Sequence, residues 1–357
     1  MRPLEGIRMV RVLIFLAAIA LMTGGALAQN GSTDAPAVTP AVKAEFQTWL
    51  NEVRLEARAK GISPQVIEEA LFDIEPVQRI LERDRKQSEF SITLGEYRGR
   101  VLTPANIEAG RAMGRKHAAL LAKVAERYGV QPRFILAIWG IETRFGAVEA
   151  TMPVIPAVAT LAFDRRRSAY FREQLMAALT MLHRGYIDLA SLKGSWAGAM
   201  GQPQFMPSSY LAYAQDFDGD GRRDIWKNEG DVFASIANYL AKNRWRNDLT
   251  WGREVIAPDA IKVSAEASPD TSRTGCRAMR KMTPERSLKD WAEFGVTQAD
   301  GKPLPTRDLP AAMVLPDGAK GPAYLVYMNY NSILRYNCAH LYGITVGELS
   351  DALREQK

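Results

Sequence analysis

The sequence predicts a mainly α protein of the α+β class, with a small β-containing insertion ahead of its last helices. Three observations predict it. Residues 43–249 are punctuated almost throughout by helix start and stop signals. Residues 250–326 carry short β-prone runs broken by Pro, Gly and Asp. Residues 327–357 return to a helical pattern. The chain has 357 residues, 47% hydrophobic and 24% charged, so a disordered or fibrous reading is excluded and a sizeable core is available.

Residues 1–28 read as a secretory signal peptide: Arg2, Arg8 and Arg11 form the basic start, Val12 to Met22 the apolar run, and Ala26-Leu27-Ala28 the cleavage signature. The apolar run is too short for a membrane span and breaks at Gly24-Gly25, which predicts cleavage after Ala28 and a periplasmic protein that is soluble rather than lipidated. Residues 29–42, rich in Ala, Pro, Ser and Thr, read as a flexible leader. In the helical region, Ser63-Pro64 and Thr103-Pro104 place a capping side chain before a helix-starting proline. Gly61, Gly129 and Gly146 sit where helices should stop. Leu120, Leu121, Val124 and Tyr128 recur at helical spacing, as do Phe134, Ile135, Ile138 and Ile141. In the insertion, Glu254-Val255-Ile256, Ile261-Lys262-Val263 and Ala323-Tyr324-Leu325-Val326 read as strands. Helix is expected again from Ser332 to Leu353.

The formal net charge is +6, and Arg165-Arg166-Arg167 is the single basic tract, so a nucleic-acid partner is not expected. No later stretch reaches 18 apolar residues, so no transmembrane segment is expected in the mature chain. Cys276 and Cys338 are the only cysteines, and export favours a disulfide between them. Closing a loop of about 60 residues would stabilise by roughly 3–4 kcal/mol in the chain-entropy model. With three scattered histidines besides (His117, His183 and His340), no zinc-ligand spacing arises.

Three segments carry chemistry. The first is Ile135 to Gly146, in which Glu142 ends an apolar helix with Ile138 and Trp139 one turn back. Desolvation there would raise its pKa and suit a general acid. A carboxylate at a helix C-terminus is disfavoured by the dipole, so its presence calls for a reason; the bland one is pairing with Arg144 or Arg127. The second is Gly194 to Ser209, whose three glycines and two prolines predict a shaped loop rather than a helix or strand. Ser195, Gln202, Gln204, Ser208 and Ser209 offer neutral hydrogen-bonding groups beside Trp196 and Phe205, as a sugar site requires. The third is Asp216 to Trp226, with acids at positions 1, 3, 5 and 9 and Gly at 6, matching a calcium loop. Lys227 replaces the usual twelfth-position Glu, and Asp231 could close the site from a longer loop.

With these segments in this order, together with Arg335-Tyr336-Asn337, the chain resembles the B-type lytic murein transglycosylases (glycoside hydrolase family 103) from about Phe46 to Leu353. The resemblance implies a lysozyme-like helical core with an N-terminal helical region and a small β domain. It implies that Glu142 is the catalytic acid/base, with Ser195 and Gln204 around the glycan at the cleavage point. Tyr97, Phe205, Tyr239, Tyr336, Asn337 and Tyr342 would complete the groove. Asp216, Asp218, Asp220, the Arg222 carbonyl and Asp231 would hold a structural calcium, with no organic cofactor. One extra residue between Trp226 and Asp231 departs from the family pattern. The partner would be peptidoglycan glycan strands, cleaved at the β-1,4 bond between N-acetylmuramic acid and N-acetylglucosamine without water. One acid/base suffices for that chemistry, whereas ordinary glycosidases need two carboxylates; Asp188 and Glu149 are the nearest other acids. The alternatives are a hydrolytic muramidase, which needs a second carboxylate or a water-positioning group, and a non-catalytic wall-binding scaffold, in which Glu142 would be dispensable. A calcium sensor is disfavoured by a single loop with a substituted twelfth position.

Overall fold

The computed structural model describes residues 37–87 and 92–354. The expected signal peptide and most of the leader lie outside the described residues. Among the described residues fifteen α-helices occur in the order α1 Pro40–Ala59, α2 Pro64–Leu71, α3 Gln78–Gln87, α4 Leu94–Val101, α5 Pro104–Lys116, α6 Ala118–Tyr128, α7 Pro132–Thr143, α8 Val154–Phe163, α9 Ser168–His183, α10 Pro207–Tyr213, α11 Glu229–Lys242, α12 Asp259–Ala267, α13 Leu288–Glu293, α14 Met328–Tyr336 and α15 His340–Ala352. The strands are β1 Met152–Pro153, β2 Lys193–Gly194, β3 Gly252–Ile256, β4 Arg286–Ser287, β5 Thr297–Gln298, β6 Pro310–Val314 and β7 Ala323–Val326. The mainly α class expected from the sequence is the one observed.

Local chemistry sets the helix ends. The side chains of Ser63 and Thr103 accept from the amides of Val66 and Asn106, each with proline at the first helical position. Thr93 and Glu96 form a reciprocal capping box on α4. Gly129 stops α6 in the left-handed conformation at φ 66°.

The chain folds as two compact units, neither continuous in sequence. The first comprises residues 92–141 and 237–354. Its sheet is antiparallel in the order β4-β6-β7-β3-β5, with Val255 opposite both Ala323 and Gln298. One face of the sheet closes on a cluster that includes Val255, Leu288, Trp291, Met313 and Leu325. The run Ile261-Lys262-Val263, expected as a strand, is instead part of α12. Pro258 ends the extended segment before it, and Ile261 and Ala265, one helical turn apart, lay their side chains on the cluster. A disulfide joins Cys276 to Cys338 across 62 residues, as expected, with Cα atoms 5.9 Å apart.

The second unit comprises residues 37–87 and 142–236. At its centre α8 is buried from Val154 to Ala162, apart from Pro156, and packs against α9, with α3 on α8 and α2 and α10 on α9. The short pair β1–β2 sets Met152 opposite Gly194. This pairing brings the segment after Glu142 beside the glycine-rich loop.

Candidate active site

Helix α7 is hydrophobic and buried from Phe134 to Trp139, and it carries Glu142 as its penultimate residue. The chain then leaves helical geometry abruptly: Arg144, Phe145 and Gly146 all have positive φ, at 49°, 58° and 80°. Two consecutive non-glycine residues in this region are held only where surrounding contacts impose it. Thr143 supplies such contacts. Its buried hydroxyl donates to the Gln202 carbonyl at 3.1 Å and accepts from the Gly146 amide at 3.3 Å. The end of the acid-bearing helix is thereby tied to the glycine-rich loop.

That loop is set by close backbone approach. A side chain at Gly198 (φ 82°) would meet Val158 at 2.3 Å, and one at Gly201 (φ 62°) would meet the Ile225 carbonyl at 2.6 Å. Met200 and Phe205 pair through two backbone hydrogen bonds of 2.8 and 3.0 Å. The Gln202 amide donates to Ile225 O at 2.8 Å, and its side chain donates to Trp226 O at 2.9 Å. The segment expected to be all loop departs from that at both ends. Gly194 lies in β2, and α10 begins at Pro207, where the fixed φ of proline favours a first helical turn.

Glu142, half-buried, opens into a cleft of about 160 Å³ that is also lined by Arg83, Thr143, Glu149, Ser195, Trp196 and Gln204. The Ser195 hydroxyl accepts from the Ala199 amide at 3.1 Å, which fixes its oxygen and leaves its proton available to donate. Gln204, at φ 52°, gives its amide to Gly201 O at 2.8 Å, which leaves its side-chain carbonyl as an acceptor. The cleft thus combines one partly desolvated carboxylate with fixed neutral donors and acceptors. Glu149, the other cleft carboxylate, is exposed.

The other residues expected at the groove sort differently. Phe205, expected on the groove surface, is buried at 2% exposure and does not line the cleft; its pairing with Met200 turns the ring into the core. Tyr97 and Tyr342 are also buried, at 2% and 3% exposure. In the first unit Tyr239, Tyr336 and Tyr342 form an aromatic series, with ring centres 4.7 and 6.5 Å apart. The Tyr239 hydroxyl donates to Arg335 O at 2.6 Å. Asn337 follows Tyr336 as the cap of α14. Sequence reasoning missed Arg83, since α3 carries three arginines and nothing in its pattern marks one of them.

In the acidic loop, carboxylate oxygens of Asp216, Asp218 and Asp231 lie within 4.8 Å of one another. Asp231 is fully buried and accepts from the amides of Phe217 and Asp224 at 2.7 Å each. Burial pushes its carboxyl up to about 6, and the neighbouring Asp218 and Asp216 add to that rise. Asp220, expected as a ligand, is outside this group, and its carboxylate accepts from the Arg222 amide at 2.8 Å. Three convergent carboxylates, one of them desolvated, fit a hard divalent cation. The loop continues into Ile225 and Trp226, whose carbonyls hold Gln202, so the acidic loop also braces the cleft.

Residues 45–351 match the transglycosylase SLT domain family model. The membrane-bound lytic murein transglycosylase B of Escherichia coli is 32% identical over 258 residues, which is 72% of this chain and 66% of that protein, just under two thirds of its length. The structure of SltB3 from Pseudomonas aeruginosa in complex with NAG-anhNAM-pentapeptide is similar at TM-score 0.77 and 37% identity, covering 86% of this chain and 79% of that one. The Escherichia coli lytic transglycosylase Slt35 in complex with calcium matches at TM-score 0.69 and 28% identity, over 87% and 93% of the two chains.

Proposed function

Because the chain belongs to the transglycosylase SLT domain family, we propose that it is a peptidoglycan lytic transglycosylase in which Glu142 acts alone as acid and then base. The observation that carries this reading is the cleft itself: a half-buried carboxylate among fixed, neutral polar groups. Protonated Glu142 donates to the oxygen of the β-1,4 bond between N-acetylmuramic acid and N-acetylglucosamine. The substrate's N-acetyl group stabilises the positive charge that develops at the anomeric carbon, which removes the need for a second carboxylate. Ser195 and Gln204 orient that group and the sugar ring, the hydroxyl as donor and the amide carbonyl as acceptor. Glu142, now a carboxylate, takes the proton from the muramoyl 6-hydroxyl as that oxygen closes on the anomeric carbon. The product is a 1,6-anhydromuramoyl end, the kind of sugar bound by the SltB3 relative.

Asp216, Asp218 and Asp231 would hold calcium, which would supply charge neutralisation there. Its effect on the cleft is structural, through the carbonyls of Ile225 and Trp226. The half-buried Tyr239 and Tyr336 rings offer stacking surface for sugars in the first unit. The protein works in the periplasm, and no helix among the described residues is long and apolar enough to cross a membrane.

Digestion of purified sacculi, read by mass spectrometry, tests the assignment. Wild type should release muropeptides one water lighter than the reducing forms. Glu142→Gln should lower turnover by about a thousandfold while glycan binding stays near normal. Reducing-end products would instead show hydrolysis, and Glu149 would then be the second carboxylate to examine.

A further inference from the structure

The cleft contains a positive charge to which the mechanism gives no task. Arg83 lines it from α3 and is exposed, and its guanidinium engages no carboxylate among the described residues. The adjacent basic residues are differently placed. Asp84, with its carboxylate 4% exposed, is bridged by both Arg166 and Arg167 from the segment before α9. That ion-paired triplet, with the packing of α3 on α8, fixes the backbone from which Arg83 reaches the cleft. Arg166 and Arg167 are thus neutralised on Asp84, while Arg83 is the basic residue that lines the cleft.

The remaining cleft groups are suited to a neutral sugar: Thr143, Ser195 and Gln204 neither attract nor repel charge. Of the two carboxylates, Glu142 is protonated when it acts, and Glu149 is solvated at the surface. A guanidinium presents paired N–H donors that match a carboxylate, and it keeps its charge at every working pH. On a murein strand the sugars are uncharged, and carboxylates are carried only by the muramoyl substituent.

We propose that Arg83 is a specificity-determining residue that binds a carboxylate on the muramoyl substituent, so that the cleft selects carboxylate-bearing strands over neutral oligomers of N-acetylglucosamine. This rests on the peptidoglycan reading above. The carboxylate has two sources, the peptide stem or the free lactyl group of a strand without a stem.

The test measures dissociation constants by calorimetry in the Glu142→Gln background, so that it does not depend on turnover. Three ligands are compared: short strands with intact stems, the same strands stripped by an amidase, and a neutral N-acetylglucosamine oligomer. Arg83→Met should weaken binding of a carboxylate-bearing strand by about tenfold, Arg83→Lys by about threefold, and neither should alter the neutral oligomer. The loss should shrink as salt is raised. Loss confined to intact strands identifies the stem as the source, and loss on stripped strands identifies the lactyl carboxylate. Unchanged affinity of Arg83→Met for both strands, or an equal loss for the neutral oligomer, would overturn the proposal. Failure of the transglycosylase assignment would show separately, as activity retained by Glu142→Gln in the otherwise wild-type enzyme.

Discussion

The larger depression of the first unit and the smaller cleft of the second are built from opposite chemistry. The larger, about 400 Å³, is lined by Arg98, Arg253, Glu254, Asp300, Glu348 and Asp351, and its deeper charges are paired with one another. Arg98 meets Glu348 at 3.0 Å, Tyr324 donates to the same carboxylate at 3.1 Å, and Asp351 is held by Arg133 at 2.6 Å and by the Trp251 indole at 2.9 Å. The cleft of about 160 Å³ has less than half that volume, yet its hydroxyl and its amide are each held by a backbone group and keep further bonding capacity. Volume does not mark the candidate site here. Polar groups that are fixed but left with spare bonding capacity do.

The sharpest way to break this contrast is to disturb the backbone that fixes the cleft. Gly201→Ala must place a methyl group 2.6 Å from Ile225 O at φ 62°. It should cut kcat/KM at least tenfold and lower stability by about 2–3 kcal/mol, measured by product release and a thermal melt. Normal activity in this variant would mean that the loop tolerates displacement. Calcium removal tests the brace one step further from the acid. At a hundredfold excess over its Kd, bound calcium stabilises by about 2.7 kcal/mol. Chelation should therefore lower Tm by several degrees, with activity falling in parallel; an unchanged melt would remove calcium from the account.

The first unit offers a smaller effect of opposite kind. Burial lowers the His340 imidazole to about 4 and raises the Glu348 carboxyl to about 7. Stability from a neutral buried His340 is complete above its unfolded value of about 6.5 and is lost as pH falls through 4. Stability linked to Glu348 is complete below its unfolded value of about 4.5 and is lost as pH rises through 7. Each is worth on the order of 3 kcal/mol at most, and the two trends oppose each other between pH 4.5 and 6.5. Denaturant unfolding should therefore show a shallow maximum in that window. His340→Asn should remove the acid limb and Glu348→Gln the alkaline limb, with glycan cleavage unchanged within about twofold. A large activity loss in Glu348→Gln would place function in the depression assigned here to structure.

Several features were legible in the chain because they depend on neighbours in sequence. The caps at Ser63 and Thr103, the stop at Gly129 and the acid at the end of α7 are of this kind. The strand expected at 261–263 failed because β propensity alone cannot report that Ile261 and Ala265 would share one packed face. Phe205 was placed on the groove surface because an aromatic ring beside polar residues suits a sugar, but its ring fills the core instead. The loop spacing marked Asp216 and Asp218, and the fold adds the carboxylate of the more distant Asp231 to them.

By itself the sequence determined the helical class and placed an acid at the end of a hydrophobic helix, because both are written in local composition and spacing. It also supplied the Cys276–Cys338 pair, since no other pairing existed. Only the tertiary structure decided which polar groups face a ligand. The contacts from Thr143 to Gln202, from Gln202 to Ile225 and from Asp84 to Arg166 span 59, 23 and 82 residues. Contacts at such separations form when buried surfaces close on one another, and no local pattern encodes their partners. The same closure that tied down Asp84 left Arg83 facing the cleft.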